Sequence, residues 1–216
     1  MADAVKNNIM LLSIKTYCDK LVKDFNSIPD ERKQLLNKIS NYIISNQLAN
    51  LNSDLIYICT HNSRRSHFGQ IWATVASQYY NIDNINTFSG GTEATAFNVN
   101  AINALKRVGF IINPLNEELN TKHEVIFSNN KKAITCFSKI YNDENNPKKD
   151  FAAIMTCGDA EENCPFIPGV KLRIGTTYDD PKAFDNTPLQ DSKYDERCRQ
   201  IALETLYVFY KVKEQI

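Results

Sequence analysis

The sequence predicts an α/β protein with a doubly wound parallel sheet, a helical extension at the N-terminus and a β-hairpin insertion. From Asp54 onward, short apolar runs that end in polar or glycine-containing loops alternate with longer amphipathic stretches. Successive strand–helix units around a parallel sheet produce this pattern. Before that point apolar residues recur at helical spacing, and 216 residues are enough for one well-buried domain with an appendage. We therefore divide the chain into an N-terminal helical extension, residues 1–50, and a domain over residues 51–216.

The extension is predicted to form two helices. Their apolar stripes consist of Ile14, Tyr17, Cys18, Leu21, Val22 and Phe25, and then of Leu35, Leu36, Ile39, Tyr42 and Ile43. Three roles are open for these helices, namely packing on the domain, forming a dimer, or covering a site for a partner. Packing on the domain is the favoured one of the three.

The domain is predicted to alternate strands and helices. Strands are expected at residues 55–58, 85–88 and 151–156, helices at 65–80, 97–108 and 191–213, and a β-hairpin at 123–127 and 133–137. Gly109 ends the second of these helices, and a polar segment at residues 128–132 separates the two hairpin strands. Residues 159–163 can begin a short helix or form a loop.

The most informative motif is the segment Cys59-Thr60-His61-Asn62-Ser63-Arg64-Arg65-Ser66, which joins the first predicted strand to the helix that follows. Successive backbone N–H groups in such a loop form an anion nest, and the helix adds the positive end of its dipole. The guanidinium of Arg65 fits two oxygens of a tetrahedral oxyanion. The same positive field favours the thiolate form of Cys59, which is the reactive form. The segment therefore predicts a nucleophilic cysteine with a phosphate-like ligand bound over its sulfur.

A less specific interpretation of this segment is also open. A cysteine and an arginine six positions apart occur by chance in many proteins, and a cysteine at a strand end is more often a small buried apolar residue. The strand before the loop, the helix after it, and three hydrogen-bonding side chains within it favour the catalytic interpretation. The candidates for residues that bind the substrate are Thr60, His61, Asn62, Ser63, Arg64 and Ser66.

A second cluster, residues 155–165, reads Met-Thr-Cys-Gly-Asp-Ala-Glu-Glu-Asn-Cys-Pro and is followed by Tyr178-Asp179-Asp180-Pro181. Together with the cysteine loop, it resembles the thioredoxin-coupled arsenate reductases, which are built on the low-molecular-weight tyrosine phosphatase fold. The resemblance covers about residues 54–212 and is specific because three motifs occur in the same order. The helical extension has no counterpart in that family, and the hairpin makes the chain longer than the compact reductases.

The resemblance implies roles for five residues. Cys59 would be the nucleophile, Arg65 the oxyanion clamp and Asp180 the general acid. Cys157 and Cys164 would form a redox relay, with thioredoxin as the external reductant and with no cofactor or metal in the chain. Because the carboxyl ends of strands form the ligand crevice in open α/β sheets, the two thiols that end predicted strands can converge there.

Two of these assignments have alternatives. Cys157 and Cys164 could form a structural or metal-binding pair, although six intervening residues do not match the usual zinc spacing and no histidine lies close in sequence. Asp179 could serve as the acid instead of Asp180, and either carboxylate could simply initiate the turn before Pro181.

Two loop residues depart from the family. His61 stands where glycine is common, which predicts an unusual backbone angle at this position, and its side chain could instead line the pocket. Arg64 stands where a second cysteine is frequent, and we expect it to add a positive charge near the mouth of the site. Both changes bear on substrate preference more than on the basic anion chemistry.

Composition excludes some partners and suggests a compartment. The 25 basic and 25 acidic side chains balance, so nothing indicates binding to nucleic acid or to a membrane surface. The apolar run at residues 9–14 is too short to span a bilayer, and we recognise no export signal. Six cysteines in such a chain are expected to be reduced thiols, and the expected location is the cytoplasm.

The first functional hypothesis is therefore a cytoplasmic arsenate reductase that uses thioredoxin. The alternative is a low-molecular-weight tyrosine phosphatase, which would need only Cys59, Arg65 and Asp180. Members of that group usually carry tyrosines just after the Asp-Pro pair, where this chain has Lys182-Ala183-Phe184. A third hypothesis, from a different class, is a non-catalytic protein that binds an oxyanion or a partner.

Overall fold

The computed structural model of the chain describes residues 10–129, 133–163 and 166–216. Its helices are α1 (Leu12–Leu21), α2 (Asp30–Leu48), α3 (Arg65–Tyr79), α4 (Val99–Val108), α5 (Gly158–Asn163) and α6 (Gln190–Lys213), with 3-10 helices at Val22–Ser27 and Pro181–Phe184. Its strands are β1 (Ser53–Cys59), β2 (Ile85–Gly91), β3 (Ile111–Pro114), β4 (His123–Ile126), β5 (Ile134–Cys136), β6 (Phe151–Met155) and β7 (Val170–Gly175). None of the helices in these ranges is long and apolar enough to cross a membrane.

Four strands form a parallel sheet in the order β2-β1-β6-β7. β1 is therefore central, and its neighbour β6 brings Met155 opposite Ile58. Because the two strands run in the same direction, Cys59 and Cys157 both lie at the carboxyl edge of the sheet, where open α/β folds bind ligands. The predicted doubly wound α/β class is confirmed.

Alternate residues of β1 pack on opposite faces of the sheet. Leu55 and Tyr57 join the larger apolar core, which α2, α3, α4 and α6 cover. Ile56 and Ile58 join the smaller core on the other face, together with residues of β6 and α5. Burial on both faces explains why this strand is a continuous apolar run and does not alternate with polar residues.

The N-terminal helices share the larger core with the domain. Ile14 and Cys18 of α1, and Leu36 and Ile43 of α2, are at most 2 % exposed and belong to the same cluster as side chains of α3 and α6. Of the three roles considered for the extension, packing on the domain is therefore the arrangement found in the structure. The division of the chain at residue 50 stays a prediction, and residues 1–9 lie outside the described ranges.

The predicted hairpin is formed by β4 and β5, which pair antiparallel with Val125 opposite Ile134. A further strand, β3, pairs antiparallel with β4, so the insertion is a three-stranded sheet and not the hairpin alone. Residues 130–132 of the predicted turn lie outside the described ranges. β7, which completes the central sheet beside β6, was also not among the predicted strands.

Candidate active site

The cysteine loop connects the end of β1 at Cys59 to the start of α3 at Arg65. Asn62 has a φ of 43°, in the left-handed region that asparagine tolerates better than most residues. The unusual backbone angle expected at His61 therefore occurs one residue later. Asn62 can hold this conformation because both ends of its side chain are bonded: the amide donates to Ser66, and the carbonyl accepts the backbone N–H of Lys139.

Neighbouring segments bind the carbonyl oxygens of the loop from outside. The N–H of Thr92 donates to the carbonyl of Cys59 at 3.2 Å, and the N–H of Glu93 donates to the carbonyl of Thr60 at 2.8 Å. The N–H of Asn98 donates to the carbonyl of Ser63 at 3.0 Å, and the hydroxyl of Ser138 donates to the carbonyl of His61 at 2.9 Å. Within the part of the chain that the structure describes, the N–H groups of residues 60–64 donate no hydrogen bond. Fixed carbonyls and free N–H groups are the arrangement that an anion nest requires.

The sulfur of Cys59 is buried and lies 3.1 Å from the hydroxyl oxygen of Ser66. That oxygen already accepts a hydrogen bond from Asn62 at 2.8 Å, so its own hydrogen can point at the sulfur. A hydroxyl donor in this position stabilises a thiolate, because hydrogen bonds to a charged acceptor are stronger than those to a neutral one.

The guanidinium of Arg65 is buried and binds the segment before the second 3-10 helix. Nη1 donates to the carbonyl of Tyr178 at 2.7 Å, and Nη2 donates to the carboxylate of Asp180 at 2.6 Å. The Nε of Arg65 is also buried and has no hydrogen-bond partner among the described residues. This N–H therefore remains as a donor for a bound oxyanion.

The two candidate acids have different surroundings. Asp180 begins the second 3-10 helix, where its Oδ1 accepts the backbone N–H of Lys182 at 3.0 Å and its Oδ2 binds Arg65. The side chain of Asp179 is 99 % exposed and lies 3.4 Å from Arg197 on α6. Only Asp180 is brought to the cysteine loop, while its role as the acid stays a prediction.

Arg64 is buried, and it does not place the charge at the mouth of the site that the sequence suggested. Its Nε donates to the hydroxyl of Tyr194 at 2.8 Å, and its Nη2 lies 3.5 Å from the carboxylate of Asp185. Tyr194 in turn donates to Asp185 at 2.7 Å. The guanidinium can be buried here because Asp185 and Tyr194 supply the ion pair and the hydrogen bond that a buried charge requires.

The remaining loop side chains have separate partners. His61 is partly exposed, with its Nε2 3.6 Å from the carboxylate of Glu93. The hydroxyl of Ser63 donates to the carbonyl of Ala96 at 2.8 Å. The hydroxyl of Thr60 lies 3.4 Å from the sulfur of Cys157, so the side chain of Thr60 connects the cysteine loop to the second cysteine.

Cys157 is 1 % exposed and follows directly after β6 and Thr156. The N–H and the hydroxyl of Thr156 both donate to the carbonyl of Ile58, at 2.6 and 2.9 Å, which fixes Cys157 beside the end of β1. The sulfur of Cys157 accepts the backbone N–H of Ala160, in the first turn of α5, at 3.4 Å. The other predicted relay residue, Cys164, lies outside the described residues.

The other described cysteines have the properties of core residues. Cys18, Cys136 and Cys198 are fully buried, and burial raises the pKa of each thiol to about 12. No disulfide joins any of the five cysteines within the described ranges. In the same ranges, no three histidine, cysteine, aspartate or glutamate side chains are arranged to hold a metal ion.

Three residues that support the site were not among the sequence candidates. Asp185 and Tyr194 hold Arg64, and Lys139 fixes Asn62 through its backbone N–H. The one usable signal was Arg64 itself, because a buried arginine inside the cysteine loop needs a carboxylate partner somewhere in the fold. Nothing near Tyr194 or Lys139 in the sequence marks either residue.

Comparisons with known proteins agree with the motifs. No protein-family model matches the chain. The chain is 29 % identical over 148 residues to an arsenate reductase from Bacillus subtilis (strain 168), which is 68 % of this chain and 88 % of that protein. It is 29 % identical over 127 residues to an arsenate reductase from Staphylococcus aureus (strain Newman), which is 59 % of this chain and 77 % of that protein. These curated relatives confirm the resemblance to arsenate reductases, while the coupling to thioredoxin stays a prediction.

Solved structures share the fold. A mutant of YwlE from Bacillus subtilis has a TM-score of 0.52 at 13 % identity, with 75 % of this chain and 99 % of that one covered. A low-molecular-weight phosphotyrosine phosphatase from Vibrio cholerae has a TM-score of 0.51 at 14 % identity, with 76 % of this chain and 99 % of that one covered. At these identities the likeness concerns the fold alone, and it confirms the predicted low-molecular-weight tyrosine phosphatase fold.

Proposed function

We propose that this protein reduces arsenate to arsenite through a relay of cysteines that thioredoxin recycles. One observation carries the proposal: the buried thiol of Cys157 lies against Thr60, the residue next to Cys59. Hydrolysis of a phosphate ester uses one cysteine, whereas reduction of arsenic requires two electrons, which two thiols supply when they form a disulfide. The similarity to curated arsenate reductases points in the same direction.

In the proposed first step, arsenate binds to the free N–H groups of the loop and to Arg65. The thiolate of Cys59 attacks arsenic, a sulfur–arsenic bond forms, and one oxygen leaves as water. Asp180 is the proposed donor of the proton that this oxygen needs, which is the usual task of a general acid. The hydrogen bond between Asp180 and Arg65 supports this assignment, because it holds the carboxyl group beside the oxyanion clamp.

In the second step, the thiolate of Cys157 attacks the sulfur of Cys59. A disulfide forms between them and the sulfur–arsenic bond breaks. The electron pair of that bond stays with arsenic, which leaves as arsenite. The N–H of Ala160 supports this role, because a backbone donor to the sulfur of Cys157 stabilises the attacking thiolate.

Cys164 is the proposed resolving thiol. Its attack on Cys157 releases Cys59 as a thiolate and leaves a disulfide between Cys157 and Cys164. The dithiol of thioredoxin then reduces this disulfide and is itself oxidised, so each arsenate consumes one thioredoxin. A cytoplasmic location fits this cycle, because thioredoxin keeps thiols reduced in that compartment.

Phosphatase activity is the alternative function. Cys59, Arg65 and Asp180 are sufficient for it, and a phosphotyrosine phosphatase shares the fold. Phe184 is the one aromatic residue in the 3-10 helix after Asp180, where that group of phosphatases usually carries tyrosines, and this weakens the alternative. A protein that only binds an oxyanion would need no thiol at position 157.

The test is a parallel assay of the wild type, Cys59→Ser and Cys157→Ser. One arm measures the arsenate-dependent oxidation of reduced thioredoxin, and the other measures hydrolysis of an aryl phosphate. We expect Cys59→Ser to abolish any activity in either arm and Cys157→Ser to abolish only the first. Cys136→Ala, which removes a buried thiol outside the site, is the matched control.

Two outcomes would contradict the proposal. A wild-type protein that hydrolyses aryl phosphate but does not oxidise thioredoxin with arsenate is a phosphatase. A protein that binds phosphate and is inactive in both arms is a binding protein.

A further inference from the structure

Two arginines and two carboxylates meet where the cysteine loop faces the second 3-10 helix. Arg65 binds Asp180 at 2.6 Å, and Arg64 lies 3.5 Å from Asp185. The two pairs are also close to each other, because the Nε of Arg64 is 3.9 Å from the Oδ1 of Asp180, the oxygen that accepts the backbone N–H of Lys182. Asp180 therefore lies between two guanidinium groups, close to one and slightly further from the other.

An oxyanion and Asp180 would compete for the positive charge of Arg65. The Nη2 of Arg65, which binds Asp180, belongs to the planar fork with which arginine binds tetrahedral oxyanions. When an oxyanion binds this fork, Asp180 shares its closest cation with a second anion, and a further cation would stabilise its carboxylate. Among the described residues, Arg64 is the one other cationic side chain within 4 Å of Asp180.

The contacts of Arg64 with Tyr194 and Asp185 keep its guanidinium in place while this exchange occurs. Tyr194 accepts a hydrogen bond from its Nε, and Asp185 pairs with its Nη2. Asp185 is itself fixed, because it accepts hydrogen bonds from Tyr194 at 2.7 Å and from the amide of Asn100 at 3.3 Å. A guanidinium carries five N–H donors in a rigid fork, so these contacts leave donors for a further carboxylate.

We propose that Arg64, held by Asp185 and Tyr194, is a positioning residue that receives the carboxylate of Asp180 when an oxyanion occupies Arg65. This keeps Asp180 beside the oxyanion site and does not release it to solvent. The inference rests on the oxyanion site of the proposed function, but not on whether the bound anion is reduced or hydrolysed. The cysteine that is frequent in the arsenate reductase family at the position of Arg64 has no positive charge and could not form an ion pair with Asp180.

A double-mutant cycle on phosphate binding tests the proposal. The affinity of inorganic phosphate is measured by titration calorimetry for the wild type, Arg64→Met, Asp180→Asn and the double variant. In the presence of Asp180, Arg64→Met should weaken phosphate binding about five- to tenfold, because the displaced carboxylate has no cation to receive it. In the Asp180→Asn background the same change should cost less than about twofold, because no charge is displaced.

Three further variants separate positioning from folding. Tyr194→Phe removes one hydroxyl that orients Arg64 and should weaken phosphate binding only when Asp180 is present. Arg64→Lys keeps the charge without the fork and should recover part of the affinity that Arg64→Met loses. Arg107→Met, which removes an exposed arginine paired with Asp195 on α6, should leave phosphate binding unchanged.

The outcomes distinguish this inference from the proposed function. An equal loss of affinity from Arg64→Met in both backgrounds would mean that Arg64 acts on the phosphate directly, and it would overturn the inference alone. A wild type that does not bind phosphate would remove the oxyanion site, and with it both the proposed function and the inference.

Discussion

Asp180 and Asp179 are adjacent carboxylates with different surroundings, which makes them a matched pair for testing the acid. Asp180 is bound to Arg65, whereas Asp179 points to solvent. We expect Asp180→Asn to slow the first chemical step by about 10²- to 10⁴-fold, the usual contribution of a general acid. Asp179→Asn should cost much less. The measurement is the pre-steady-state rate with arsenate for both variants.

Titration of the Cys59 thiolate in the same samples controls for an intact site. If Asp179→Asn slows the first step more than Asp180→Asn does, Asp179 is the acid. Two small effects of equal size would show that neither carboxylate is the acid.

The surroundings of His67, in the first turn of α3, determine how the free energy of unfolding should depend on pH. It is fully buried, its Nδ1 lies 3.3 Å from the hydroxyl of Ser89, and its ring packs on Phe97 with a centroid distance of 4.1 Å. Burial, and then the nearby charge of Lys139, hold the pKa of His67 well below its usual range. An unfolded chain takes up this proton near its ordinary pKa of about 6.5, whereas the folded protein does not. Stability should therefore be full above that pH and fall as the pH drops below it.

Urea unfolding at pH 7.5 and at pH 5.5 measures this effect. Each titrating group of this kind contributes at most about 1.4 kcal/mol per pH unit. His67→Gln should make the loss between the two pH values smaller, while His123, whose pKa burial also lowers, keeps its own contribution. If the loss of stability between the two pH values is the same in His67→Gln as in the wild type, the folded protein binds a proton at His67 as readily as the unfolded chain does.

At the scale of elements, the cysteine loop depends on the neighbouring strand β2. A Cβ on Gly91, the last residue of β2, would lie 2.2, 2.6 and 2.7 Å from backbone atoms of Glu93, Thr60 and Asn62. Gly91→Ala must therefore displace the loop. Because small misplacements of a catalytic group can cost about 10²-fold, we expect turnover to fall by roughly that factor.

Gly158→Ala is the control for this substitution. Gly158 begins α5, and a Cβ there meets no atom within 4 Å. Turnover and phosphate affinity of both variants are compared with those of the wild type. Normal turnover in Gly91→Ala would mean that the loop does not need the backbone position found here.

The long elements were predictable from the sequence because each carries its own periodicity. The helix expected at residues 65–80 is α3, Arg65–Tyr79, and the closing helix expected at 191–213 is α6, Gln190–Lys213. β3 has four residues, of which one is buried, and this is too short for a periodic signal. β7 was recognisable in principle, since its apolar residues alternate with Lys171 and Arg173.

The site was predictable where its chemistry is local and not where it depends on tertiary contacts. The loop from Cys59 to Ser66 could be recognised because the cysteine, the arginine and the start of the helix are contiguous in the sequence. The orientation of Arg64 could not, because Tyr194 lies 130 positions away and its phenol is an ordinary side chain in sequence terms. The backbone angle assigned to His61 occurs at Asn62, because its side chain finds partners in Ser66 and the backbone of Lys139.

At the scale of the whole molecule, the N-terminal helices are part of one core with the sheet domain. Leu36 of α2 is 2 % exposed within that core, whereas Leu48, at the end of the same helix, is 74 % exposed. Leu36→Ala should lower the free energy of unfolding by about 2–5 kcal/mol, the usual cost of a large-to-small change in a core. Leu48→Ala should change it by no more than about 0.5 kcal/mol.

Equilibrium unfolding in urea, followed by circular dichroism, measures both variants. If each protein shows a single transition, and Leu36→Ala shifts it while Leu48→Ala does not, the N-terminal helices and the sheet domain unfold as one cooperative unit. Two separate transitions, with only one shifted, would show that the extension unfolds independently of the sheet domain.

Trapping the first disulfide tests whether two thiols of this chain supply the electrons that reduce arsenate. Cys164→Ser is treated with arsenate in the absence of thioredoxin, then alkylated and mapped by mass spectrometry without reduction, while arsenite is quantified. We expect a disulfide between Cys59 and Cys157 and one arsenite released for each protein molecule. Arsenite released with both thiols free, or no arsenite and no disulfide, would contradict it.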